Sequence, residues 1–283
     1  MRKTLTTLAA ALSAMALLAA CGGDDSEDAA PAAQQTPAAA SPVTLKIGAS
    51  PVPHADILRF VQDNLAKDAG LNLDIVEYTD YIQPNVALSE GDLDGNYFQH
   101  LPYLESQEES QGYDFDHYEG VHIEPYAAYS KKIQDVAELP QQGKVGITND
   151  PSNQARALDL LVKAGVITLK DTGDKDPTIF DIDSNTKDLE FVETDPEQLP
   201  RTLDDFDLAI INGNYALEAG LNPAEDSLLI ESGEGNPYSN FLAVRTEDKS
   251  NPALLKLDEL LHSPQVKEFI ETKWPAGEVL PAF

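Results

Sequence analysis

The chain has 283 residues, with 49 Asp and Glu against 19 Lys and Arg, a formal charge of −30, and a single cysteine. So negative a chain is a poor partner for nucleic acid or anionic lipid surfaces. One cysteine excludes an intramolecular disulfide and any zinc site built on a cysteine cluster.

At the start, Arg2 and Lys3 precede an apolar run over residues 5–20 that only Thr6, Thr7 and Ser13 interrupt. The run falls short of the roughly 20 apolar residues of a spanning helix, and it ends in Leu18-Ala19-Ala20-Cys21 rather than in a basic stop-transfer flank. Residues 1–20 therefore read as a signal peptide. Leu-Ala-Ala-Cys resembles the bacterial lipobox, which implies acylation of Cys21 by palmitate-type chains. An extracytoplasmic protein, held to the cell membrane by lipid on Cys21, is the expected outcome. Residues 21–42, rich in Asp, Ala, Pro and Gln, carry too little apolar bulk to fold and read as a disordered tether.

From Val43 onward, strand-like and helical patterns alternate. Residues 43–48 and 73–78 read as strands around a helical stretch at 54–65, where Ile57, Leu58, Phe60, Val61 and Leu65 recur at helical spacing. Residues 144–148, 189–193, 207–211 and 240–245 read as further strands, with helices predicted at 152–163 and 253–261. This alternation predicts an α/β fold with mostly parallel sheets, and the strand-then-helix pattern restarts near Gly143 as a second lobe. A cleft between two such lobes is the natural place for a small ligand.

The motifs that announce common enzymes are missing: there is no G-x-S-x-G, Walker loop, H-E-x-x-H or dinucleotide glycine fingerprint. The five histidines are scattered without an i, i+4 pair. Asp92 and Asp94, alternating on one face of an extended segment, offer a carboxylate pair for a hydrolase, and equally two solvated acids.

Tyr81, Phe98, His100 and Tyr103 lie among polar turn residues; they suit either a core or a wall for an apolar or thioether side chain. In Asn149-Asp150-Pro151-Ser152-Asn153, Asp or Ser is a fit N-cap and Pro151 a fit first helical residue, so a helix starts directly after a strand. Its free N–H groups suit a carboxylate, which Arg156 in the next turn could clamp in bidentate fashion, or Arg156 could form a surface ion pair. Asn212 and Asn240, at a predicted strand end and strand start, could form turns or present amides to a ligand's ammonium and carboxylate.

Several ordered words carry a resemblance to a known family: Asp-Tyr-x-x-Pro-Asn at 80–85, Gly-Asp-x-Asp-x-Asn-x-Phe-Gln-His-x-Pro-Tyr-Leu at 91–104, Tyr-Ser-Lys-Lys-Ile at 129–133, Asn-Asp-Pro-x-Asn-x-x-Arg at 149–156 and Leu-Pro-Arg-x-Leu-Asp-Asp at 199–205. With these, the chain resembles the methionine-binding lipoproteins of bacterial ABC importers, the MetQ/NlpA family. The resemblance implies a two-lobed type II periplasmic-binding-protein fold with the ligand cleft between lobes, lobe 1 being 43–127 plus 240–283 and lobe 2 being 128–239. It implies an aromatic wall of Tyr81, Phe98, His100 and Tyr103, with polar contacts from Asn153, Arg156, Asn212 and Asn240. The implied partners are methionine or a related small amino acid or methionine-containing dipeptide, an ABC permease and its ATPase. No catalytic residue, cofactor or metal is implied. Gly95, where the family usually has Ala, and Gly213-Asn214, where it commonly has small hydroxyl residues, depart from the pattern.

Overall fold

The computed structural model describes residues 41–283, so the expected signal peptide at 1–20, Cys21 and the tether up to residue 40 lie outside the described residues. The strands are β1 (Val43–Ala49), β2 (Leu71–Glu77), β3 (Gly95–His100), β4 (Phe115–Ile123), β5 (Ala127–Tyr129), β6 (Lys144–Thr148), β7 (Thr168–Leu169), β8 (Ile182–Ser184), β9 (Glu190–Thr194), β10 (Leu208–Ile211), β11 (Ser227–Ile230), β12 (Asn240–Arg245) and β13 (Leu280–Pro281). The helices are α1 (Asp56–Val61), α2 (Gln83–Ser89), α3 (Leu101–Gln111), α4 (Pro151–Lys163), α5 (Gly213–Glu218), α6 (Pro252–Leu261) and α7 (Pro264–Lys273). Wider turns, Pro51–Ala55 and Gln62–Ala66, flank α1, so the helical stretch predicted at 54–65 is present.

Two sheets carry the fold. The larger has the order β13-β4-β12-β3-β1-β2 and the smaller β11-β5-β10-β6-β9. Both are mixed, which corrects the expectation of mostly parallel sheets. The parallel strands β3-β1-β2 and β10-β6-β9 form one side of each sheet, whereas β4, β12, β5 and β11 pair antiparallel on the other. The reason lies in the connections. The chain passes between the sheets over residues 124–126 and 231–239, so the strand that leaves each sheet lies beside the strand that returns to it, β4 beside β12 and β5 beside β11, and each such pair runs antiparallel.

Under the larger sheet, Leu45 and Ile47 of β1 pack with Ile57, Leu58 and Val61 of α1 and with Leu254, Leu257, Leu261, Val266 and Ile270 of α6 and α7. Val145 and Ile147 of β6 pack with Ala157, Leu158 and Leu161 of α4 under the smaller one. At ~2 kcal/mol per buried aliphatic side chain, these two cores dominate the favourable side of folding. The helix starts are set locally. Proline stands in the first turn of α2, α3, α4, α6 and α7, and side chains of His100, Asp150, Asn251 and Ser263 cap the last four of these.

Candidate functional site

Where β3 runs into α3, three rings are delivered in six residues. Phe98 and His100 lie on one face of the strand, and Tyr103 follows in the first helical turn. Tyr81, in the loop before α2, joins them. Its ring centroid is 5.9 Å from Phe98 and 5.8 Å from Tyr103, and Phe98 is 6.0 Å from Tyr103. His100 stands edge-on to Tyr103 at 6.3 Å. The Tyr103 hydroxyl donates to the Tyr81 carbonyl at 2.9 Å, which fixes the wall.

Facing this wall are residues of the smaller sheet and its helices. All eight predicted site residues line one cavity: the four rings, Asn153 and Arg156 of α4, Asn212 at the end of β10 and Asn240 at the start of β12. Gln99, Glu124, Gly213 and Asn214 complete the lining. Two side-chain hydrogen bonds cross it. His100 Nε2 donates to Asn153 Oδ1 at 3.1 Å, and the Tyr81 hydroxyl donates to Asn214 Oδ1 at 2.5 Å. Because Nδ1 of His100 accepts from the Tyr103 N–H, its proton sits on Nε2. Burial, with Arg156 adding in the same sense, lowers the His100 pKa to about 3, so the ring is neutral near pH 7.

The start of α4 is satisfied from within the chain. The Asp150 carboxylate accepts from the Asn153 N–H at 3.0 Å and from its side-chain amide at 3.2 Å. The N–H groups that the sequence offered to a ligand are thus partly used by the cap. Arg156 also differs from expectation. Its Nε and Nη2 form a fork on Glu231, and Nη2 donates to the Glu124 carbonyl at 3.1 Å. Only Nη1 remains without an acceptor among the described residues, so the guanidinium is no free bidentate clamp. Asn212 Nδ2 donates to Asn153 Oδ1 at 3.1 Å. Buried atoms left without partners include Asn212 Oδ1, an acceptor, and Asn214 Nδ2, a donor.

Glu124 is the site residue that sequence reasoning missed. It follows β4 directly and is only 5% exposed. Its Oε1 accepts from His122 Nε2 at 2.9 Å and lies 3.2 Å from His54 Nε2, whose hydrogen bond runs to Asn240 Oδ1 at 3.1 Å. Burial holds both imidazoles neutral, lowering the His54 pKa to about 4 and that of His122 to about 3. The His122 contact is therefore a hydrogen bond to a carboxylate rather than an ion pair, and His54 packs beside that carboxylate as a neutral ring. Burial pushes the Glu124 carboxyl up, while His54, the Asn214 N–H and Arg156 pull it back toward ionisation.

Glu124 also explains Gly213. A Cβ there would stand 2.6 Å from the Glu124 Cβ and 3.1 Å from its Oε2, so Glu124 leaves no room for a side chain at this position. His54, His122 and Glu124 are the group among the described residues that could hold a metal ion, their ligand atoms lying within 4.8 Å of one another. Hydrogen bonds account for that arrangement, with the Tyr97 hydroxyl on His122 Nδ1 sending the ring's proton to Nε2. Asp92 and Asp94 lie away from the cavity lining; the Asp94 carboxylate accepts from the Lys46 N–H at 2.7 Å.

Comparison with known proteins bears on the family and the fold. The chain matches the NlpA lipoprotein family over residues 45–283. It is 40% identical over 222 residues to the D-methionine-binding lipoprotein MetQ of Escherichia coli K12, covering 77% of this chain and 82% of that protein. A nutrient-binding protein from Burkholderia cenocepacia, solved bound to methionine, matches with a TM-score of 0.81 and 44% identity over 84% of this chain and 100% of that one. An ABC-transporter periplasmic substrate-binding protein from Coxiella burnetii matches with a TM-score of 0.80 and 41% identity, over 84% and 100% respectively. With the two mixed sheets and twofold crossing of the chain described above, these likenesses mean that the fold is that of the two-lobed periplasmic binding proteins and that the chain belongs to the NlpA lipoprotein family.

Proposed function

We propose that this chain is the substrate-binding lipoprotein of an ABC importer and that its cavity holds methionine. The observation that carries the reading is the cavity's mixed lining, four rings together with an arginine, a buried carboxylate and unpartnered amide atoms. Such a space fits an amino acid that is apolar at one end and zwitterionic at the other.

In this reading the thioether packs among Tyr81, Phe98, His100 and Tyr103, where sulfur–aromatic contacts are favourable. The carboxylate meets Arg156 Nη1 and Asn214 Nδ2. The ammonium meets Glu124 and Asn212 Oδ1, and Asn153 and Asn240 complete the polar rim. Burying a methionine side chain supplies about 2 kcal/mol, whereas nanomolar affinity requires about 12 kcal/mol, so the zwitterionic end supplies much of the binding. The two lobes, 43–127 plus 240–283 and 128–239, close on the amino acid. No described helix is long and apolar enough to cross a membrane, and the sequence has no nucleotide loop, so translocation and ATP hydrolysis belong to a separate permease and ATPase. Lipid on Cys21 keeps the receptor at the outer face of the cell membrane near that permease. The chain binds and releases its ligand without chemistry on it.

Thermal-shift screening of the purified chain against L- and D-methionine, the other amino acids and methionine dipeptides tests the ligand, because a specific ligand raises the melting temperature by mass action. Methionine should give the largest shift and be recovered unmodified after denaturation. A larger shift from a different solute, or recovery of a converted product, overturns the proposal.

A further inference from the structure

We infer that Glu231 is the positioning residue of the ligand site: it takes the Nε–Nη2 edge of Arg156 and thereby leaves Nη1 as the single prong that meets the ligand's carboxylate. The inference rests on the amino-acid reading of the cavity given above.

Glu231 follows β11, in the link that carries the chain back to the larger sheet. Its backbone N–H donates to the Tyr126 carbonyl at 2.9 Å, and its carboxylate accepts from the Tyr126 N–H at 3.2 Å. The acid is thus tied to the neighbouring link, and with it to the end of the β5/β11 ladder. From this fixed base the two carboxylate oxygens receive Arg156 Nε, each at 3.1 Å, and Nη2 at 2.5 Å. Burial tends to raise the Glu231 carboxyl, but the hydrogen bond and charge of Arg156 hold it below the usual carboxylate range, so it is ionised near pH 7.

The guanidinium has little other freedom. Its central carbon lies 4.1 Å from the Tyr238 ring centroid and 5.0 Å from that of Tyr126. The Tyr238 ring in turn stands edge-on to His100 of the aromatic wall at 5.0 Å. A planar fork held along one edge and faced by two rings cannot rotate to present that edge to a ligand. Arg156 is therefore ordered before the ligand arrives, and the entropy of fixing a long side chain is not drawn from binding. Glu231 opposes binding in one respect, since its charge repels the incoming carboxylate. The fork on Arg156 outweighs this, because without it the guanidinium keeps only the Glu124 carbonyl and the two ring faces, which leave it free to turn in its plane and take Nη1 off the ligand.

Two substitutions separate position from charge. Glu231→Asp keeps the charge but shortens the reach, and Glu231→Gln keeps the reach but loses the charge and sets amide hydrogens against Nη2. Binding of L-methionine and of methioninol, which keeps the ammonium and thioether but has no carboxylate, is measured calorimetrically on the full chain in detergent. Both variants should bind L-methionine on the order of tenfold more weakly than the parent and methioninol within about twofold of it. Equal weakening toward both ligands, no change in either, or tighter methionine binding by Glu231→Gln overturns the inference. Where methioninol binds too weakly to measure, a double-mutant cycle decides: in an Arg156→Met background, Glu231→Asp should add no further loss of methionine affinity, and an additive loss refutes a role exercised through Arg156. If the parent itself fails to bind methionine, the ligand reading falls on its own.

Discussion

Gly213→Ala tests whether the cavity is as tightly built around Glu124 as its geometry indicates. The added Cβ would meet the Glu124 Cβ at 2.6 Å, closer than real Cβ atoms come, and the atom it meets is anchored to backbone rather than at the end of a flexible side chain. Either the start of α5 or the link after β4 must move. Overpacking of this kind costs about 1–3 kcal/mol. In a domain of this size each kcal/mol lowers Tm by ~2–4 °C, so a fall of roughly 2–12 °C is expected in a calorimetric melt. The shift also pulls Glu124 off His54 and His122 and turns its carboxylate away from the position assigned to the ligand's ammonium, so methionine affinity should drop by about tenfold or more. A variant whose Tm lies within a degree of the parent and whose affinity is unchanged would refute the packing argument and the role given to Glu124 together.

Arg156→Ala should weaken methionine binding roughly 30- to 100-fold by calorimetry, the worth of a charged hydrogen bond and its ordered geometry. It should also lower stability by about 3 kcal/mol, because Glu231 is left unpaired. Acid should destabilise the fold before carboxylates titrate. His54, His100 and His122 have folded pKa values depressed to about 4, 3 and 3, so the unfolded chain takes up protons first and the stability present above pH 6.5 is lost as pH falls toward 4. At pH 5 each contributes a loss of ~2 kcal/mol, partly offset by the Glu218 carboxyl, which burial pushes up to about 7, by the raised carboxyls of Glu124 and Asp150 and by the raised imidazole of His262, and melts between pH 7.5 and 5 should show Tm falling; a flat or rising Tm would contradict the buried neutral rings. Cells expressing Cys21→Ser should release the protein from the membrane fraction, as read by fractionation and blotting.

Much of the fold is legible where burial follows a simple period. β1, β2 and β6 alternate or run apolar, and the apolar residues of α4 recur at helical spacing behind an Asp-Pro start. The α3 helix is not legible in that way, since only Tyr103 and Leu104 of its eleven residues are buried and the rest is a polar run that any exposed segment could carry. Six of the eight predicted lining residues, Tyr81, Phe98, His100, Tyr103, Asn153 and Arg156, were findable because short words hold them in a fixed local order, and Asn212 and Asn240 because they stand at a strand end and a strand start. Glu124 and Glu231 were not. Each reads as one more acid among 49, and what makes it part of the site is a partner 70 or more residues away, His54 for one and Arg156 for the other. Sequence periodicity reports burial along a single element and carries no record of such pairings.

Two hydrogen bonds between side chains span the cavity, His100 to Asn153 and Tyr81 to Asn214, and in the proposed receptor, whose lobes close on the ligand, they have an energetic consequence for transport. Each is worth ~1 kcal/mol, so together they weight the closed arrangement over a separated one by about thirtyfold before any ligand binds. Little of the ligand's free energy is then consumed in bringing the lobes together. The same bonds set a threshold for unloading: whatever opens the receptor must supply at least that free energy in addition to the ligand's own affinity, and loss of either bond would make delivery easier at the expense of capture.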